Sequence, residues 1–191
     1  FNASKREPDE NAPMVAYRAD YSVGEYAGIG FSGVHGKAAN FVQETGDTTL
    51  HLFEVDGYWV RGDWTAQGQV SFGTQKNAAI ALDSNDGLQD AEWWGLSGLA
   101  AYKVTPRLEG VVRADFIYNR KNGGGLLGFG ADSLNGIGPG FSGSDDDGPI
   151  ANESQRGANR YAVSLGGNFR FNEYTLFKAE YRFDGATKRV F

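Results

Sequence analysis

Residues 92–119, EWWGLSGLAAYKVTPRLEGVVRADFIYN, decide the fold of this 191-residue chain. From Leu108 the even positions are Leu108, Gly110, Val112, Ala114, Phe116 and Tyr118, all apolar, small or aromatic. The odd positions include Glu109, Arg113, Asp115 and Asn119. Successive side chains of a strand point to opposite faces, so one face is greasy and the other carries full charges. The preceding stretch repeats this, with Trp94, Leu96, Gly98, Ala100 and Tyr102 set against Gly95, Ser97, Ala101 and Lys103. Val104-Thr105-Pro106-Arg107 lies between them, and proline suits a turn better than a central strand. The pattern is a β-hairpin with aromatic residues near the ends of each greasy face. An outward apolar band flanked by aromatic girdles is what a transmembrane β-barrel requires.

Composition narrows the class. There is no cysteine, so a disulfide framework or thiolate metal site is excluded. A formal net charge of −6 argues against a nucleic-acid partner. Glycine is abundant at 28 residues and aromatics reach 14%, with one methionine, which reads as all-β. No apolar run approaches the roughly 18 residues of a membrane helix, whereas barrel strands need only about ten half-polar residues.

The same alternation runs through the chain. Strands are expected over 13–23, 26–35, 48–60, 64–73, 92–103, 107–119, 159–171 and 174–183. Tight turns are expected at Gly24-Glu25, Arg61-Gly62-Asp63 and Asn172-Glu173, and medium or long loops over 36–47 and 74–91. The segment 121–158, crowded with Gly, Ser, Asp and Asn, is the longest break. A structureless loop of that length is commonly functional or disordered. Eight strands thus alternate between tight turns and long loops, the periplasmic and extracellular connections of an outer-membrane barrel. By this parity the chain begins and ends on the long-loop side, whereas complete barrels ordinarily keep both termini on the periplasmic side. That predicts an internal piece of a larger barrel. The closing Arg189-Val190-Phe191 points the other way, since many outer-membrane proteins end in phenylalanine.

Several motifs are weaker than they look. Gly28-Ile29-Gly30-Phe31-Ser32-Gly33 matches the dinucleotide fingerprint but sits inside an alternating strand, with no helix start to hold a pyrophosphate. Arg61-Gly62-Asp63 spells an adhesion tripeptide but falls at a tight turn. The clusters Asp83 to Asp86 and Asp145, Asp146 and Asp147 supply oxygens suited to a hard cation, without the spacing of a calcium loop. Asp145 to Asp147 are the weak metal candidates, and solvated loop charge is the favoured reading. His35 and His51 form no set with a carboxylate and a hydroxyl. Glu109 and Asp115 flank Arg113 on one face, and a carboxylate beside a guanidinium stays ionised, unlike a general acid. Neither a catalytic residue nor a cofactor is expected.

The chemical constellation is the charged face itself. Its pore-lining candidates are Arg18 and Asp20; Glu54 and Asp56; Gln67 and Gln69; Glu109, Arg113 and Asp115; Arg160 and Arg170; and Lys178, Glu180 and Arg182. Such residues either neutralise one another in a packed interior or wall a wet channel. Acidic residues dominate the third and sixth strands and basic ones the last two, which favours a transverse field across a channel. The aromatic girdle is expected from Tyr21, Trp59, Trp64, Trp94, Tyr102, Tyr118, Tyr161 and Tyr181.

The stretches RGDWTAQGQVSFGTQ (61–75), WWGLSGLAAYKVTPRLEGVVRADFIYNRKNGGG (93–125) and YTLFKAEYRFDGATKRVF (174–191) resemble the porin-like outer-membrane proteins of Gram-negative bacteria. The likeness lies near the phosphate-selective porin superfamily and is strongest to a proteobacterial family of unknown function. It covers nearly the whole chain and implies an antiparallel transmembrane β-barrel of about sixteen strands, commonly trimeric, with one extracellular loop folded into the pore. Loop 121–158 is the candidate for that role. The implied function is a passive channel for small hydrophilic solutes in the bacterial outer membrane, in contact with lipid and lipopolysaccharide. The alternative is a plugged structural barrel serving as an envelope anchor or adhesin.

Overall fold

The computed structural model of the chain describes residues 13–40, 46–79, 87–119 and 157–187. Within them lie eight strands: β1 (Val15–Val23), β2 (Ala27–Ala38), β3 (Thr48–Arg61), β4 (Trp64–Gln75), β5 (Ala91–Thr105), β6 (Leu108–Tyr118), β7 (Arg160–Arg170) and β8 (Leu176–Ala186). They form one antiparallel sheet in sequence order, each strand bonded to the next. Among the described residues β1 and β8 are its two edges, and no ladder joins them. Loop 121–158 falls almost wholly outside the described residues, as do Asp83, Asp86 and Asp145 to Asp147.

The tight turns fall where the sequence puts them, for local reasons. Gly24 and Gly62 adopt φ of 67° and 58°, a left-handed conformation that glycine enters without a Cβ penalty. The β5–β6 turn is held by the Thr105 hydroxyl, which accepts from the backbone N–H of Arg107 (3.3 Å) and Leu108 (3.0 Å). The β7–β8 turn is held by Asn172, whose Oδ1 accepts from the N–H of Tyr174 at 2.9 Å. Strands β2, β4 and β8 run two or three residues further toward the long loops than the alternation predicts, to Ala38, Gln75 and Ala186. There the outward positions turn polar or small, but the backbone ladder continues regardless of side-chain polarity.

Among the described residues no second layer packs against the apolar face. Val70 (52% exposed), Leu96 (51%) and Val112 (49%) stand at the centre of the sheet, where a water-soluble sandwich would bury them. Trp64 and Phe177 are exposed as well. This is a face built for a nonaqueous surrounding.

Four aromatic rings lie flat across the sheet, each directly opposite a glycine. Tyr17 faces Gly33, Tyr58 faces Gly28, Trp93 faces Gly73 and Tyr161 faces Gly185. A Cβ at any of these glycines would collide with the ring. The glycines are seats, and the rings restore the packing that glycine lacks.

At the long-loop end of the charged face Ala38, Leu50, Ala91 and Trp93 of the strands form a small apolar cluster with Ala78 and Ala79 of the segment after β4, and Met14 packs against it. The buried Gln75 amide ties this collar together, donating to Ala38 O (3.3 Å), Ala39 O (3.3 Å) and the Thr48 hydroxyl (3.2 Å). Buried Asn40 donates to Asn77 O at 2.9 Å. Sequence alternation marks this face by its charges; its loop-side rim is instead made of buried apolar residues tied by two buried amides.

Candidate functional site

Register brings all the predicted pore-lining residues onto one face, in rows that cross the strands. One row runs Asp20, Gly30, Asp56, Gln69, Ser97, Asp115, Ala162, Asp184, so four aspartates from four strands share a single line. The row on the long-loop side holds Arg18, Ser32, Glu54, Ser71, Gly95, Ile117 and Arg160. The row on the tight-turn side holds Tyr58, Gln67, Leu99, Arg113, Ser164 and Arg182. Beyond these, Gly166 opposes Glu180, Glu109 opposes Asn168, and Asn168 opposes Lys178. Arg170 lies at the tight-turn end, opposite Leu176.

Each aspartate of the row is held by an arginine. The Arg18 guanidinium bridges Asp20 (2.7 Å) and Asp56 (2.7 Å). To reach Asp56 it passes over Gly30 on the intervening strand, where a Cβ would strike it. Arg113 holds Asp115 at 3.0 Å, and Arg182 holds Asp184 at 2.8 Å. Asp115 also accepts from the Ser97 hydroxyl at 2.5 Å. Two acids are held by amides instead: Gln69 donates to Glu54 at 2.7 Å, and Asn168 donates to Glu109 at 2.8 Å.

The expected transverse separation of charge therefore gives way to local pairing at these arginines. The cause is spacing. Residues i and i+2 share a face about 7 Å apart, within reach of a guanidinium, and Arg-x-Asp lies wholly inside a strand at 18–20, 113–115 and 182–184, whereas at 61–63 it makes the β3–β4 turn. Asp184 is the member that sequence reasoning missed, because the alternation predicts a strand ending at 183; the Arg-x-Asp at 182–184 was its available signal. The pairs remain open, with side-chain exposures of 45% and 58% at Arg18–Asp20 and 55% and 44% at Arg182–Asp184. Around them the face hollows into grooves. One of about 370 Å³ is lined in part by Arg18, Glu54, Asp56, Gln69 and Arg113. Another of about 320 Å³ is lined in part by Arg113, Asn168, Lys178 and Glu180.

The predicted girdle residues all point to the opposite face. Trp64 and Tyr102 meet near the tight turns with ring centroids 4.6 Å apart. Trp94 stacks on Tyr118 at 5.8 Å toward the long loops. Tyr161 lies at that same end, and Trp59 and Tyr21 stand near the tight turns. Tyr181 is the exception. It stands at mid-strand opposite Leu165, because β8 runs on to Ala186. His35 and His51 are also on the apolar face, at its long-loop end. Their Nδ1 atoms are 2.9 Å apart, and Tyr17 Oη lies 3.1 Å from His35 Nε2. Among the described residues no group of three or more metal-ligating side chains converges.

A family model described as "Putative beta-barrel porin-2, OmpL-like" matches residues 7–191. The chain belongs to this porin family. Its architecture is that of a porin-like outer-membrane β-barrel, seen here as eight consecutive strands of the wall. In a porin of this kind the apolar face is the lipid side and the charged face the lumen side. The match to this porin family carries no link to the phosphate-selective superfamily. No curated protein and no solved structure matched the chain.

Proposed function

We propose that the chain walls a passive diffusion channel for small hydrophilic solutes in the bacterial outer membrane. One observation carries the reading. A sheet whose apolar face carries no second layer among the described residues presents, on the other, a field of half-exposed arginine–aspartate pairs. Lipid and lipopolysaccharide would cover the first face and water the second. No bond is made or broken by such a wall. Its contribution is a hydrated, charged surface that lowers the cost of moving a polar solute past hydrocarbon. Paired charges suit this task, since each ion is held in place by its neighbour and presents little net field.

Planar-bilayer recording of the full-length protein tests the proposal. Stepwise conductance is expected, with a reversal potential close to zero in a salt gradient, because the arginines and aspartates largely cancel. Absence of current would favour a plugged barrel that anchors or adheres through its outer loops.

A further inference from the structure

Resting on that channel reading, we infer that the wall favours zwitterions: small solutes carrying an ammonium and a carboxylate on one skeleton. The observation is the order of charge along the lumen side. On β8 every second residue faces the lumen, and these read Lys178, Glu180, Arg182, Asp184, alternating in sign. The step between them is about 7 Å. Arg113–Asp115 on β6 and Arg18–Asp20 on β1 repeat one such step.

Register lines these pairs up, so the aspartates form one row while Arg113 and Arg182 share the next. An ion of either sign crossing this surface gains from one member of each pair and loses to the other. An uncharged solute gains from neither charge. A zwitterion laid antiparallel to a pair gains from both and leaves the pair intact. Both members of the Arg18–Asp20 and Arg182–Asp184 pairs, and Arg113 of the third, are about half exposed, so this second partner has room to approach; Asp115 is the more enclosed at 24%. Interactions among exposed charges are weak, so the preference amounts to about two- to fivefold. Weak holding also lets a solute leave each site for the next, as conduction requires.

The test uses the full-length protein in liposomes and two isomers of equal mass, zwitterionic glycine and uncharged glycolamide, read by osmotic swelling. Glycine is expected to enter faster by that factor, and the advantage is expected to shrink as salt screens the pairs. R182Q/D184N is expected to lower the glycine-to-glycolamide ratio, and adding R113Q/D115N to bring it near one, whatever the absolute rates. Equal entry of the two isomers through the wild-type protein overturns the zwitterion inference and leaves the channel standing. A ratio unmoved by either variant overturns its assignment to these pairs. Entry of neither isomer overturns the channel reading itself.

Discussion

Adjacent residues at the centre of β4 should tolerate arginine very differently. Val70 is on the apolar face and Gln69 on the charged face. Outward positions of β4 run from Trp64 at the tight turn to Thr74 at the long-loop end, ten residues apart. At about 3.4 Å per residue this is about 34 Å along the strand. A tilt of about 40° shortens it to about 26 Å across the bilayer, close to the roughly 25 Å apolar band of such barrels. Val70 stands one residue from the middle of that span, hence about 3 Å from the midplane. An arginine there should cost about 2–4 kcal/mol, and at 3 kcal/mol the folded-to-unfolded ratio falls more than about a hundredfold. Gln69→Arg places the same charge at the same depth, beside Glu54, which Gln69 already contacts at 2.7 Å. It should cost less than about 1 kcal/mol. Folding of the full-length protein into phospholipid vesicles across a urea series measures both. If the two arginines cost the same, or Gln69→Arg costs more, the assignment of faces is wrong.

Three further outcomes follow from the geometry. Gly30→Leu should push Arg18 off Asp56. Because Arg18 is 45% exposed the loss should be small, and a double-mutant cycle with Asp56→Ala should show the two changes to be non-additive. Trp93→Ala should empty the collar and cost about 3 kcal/mol in a denaturant titration, with Gly73→Val expected to unseat the same ring. Gln75→Leu removes the buried amide from two carbonyls and a hydroxyl and should cost about 1–3 kcal/mol by the same titration.

Much of the wall was legible because a strand's period is an integer. Once Val112 and Arg113 are seen to alternate, every neighbour on that strand has a face. The long-loop ends were less legible. Backbone pairing is indifferent to side-chain polarity, so Lys37, Gln75 and Asp184 continue strands after the apolar alternation has stopped. What one strand cannot show is its offset from the next. The alignment of Asp20, Asp56, Asp115 and Asp184 exists only after seven ladders are set in register. The local pairing of charges was within reach in the recurring Arg-x-Asp. The collar was not, since Ala78 and Ala79 are two small residues in a polar stretch and gain meaning only against Leu50 and Trp93.

The ring-bearing glycines bear on how such a wall behaves mechanically. A sheet with this much glycine would be expected to flex, yet Tyr17, Tyr58, Trp93 and Tyr161 each lie as a cross-brace over the gap glycine leaves. Rigidity is thereby lent from one strand to its neighbour. The residue that ordinarily forgives most substitution becomes, at Gly28, Gly33, Gly73 and Gly185, one where even a methyl group must displace the ring seated on it.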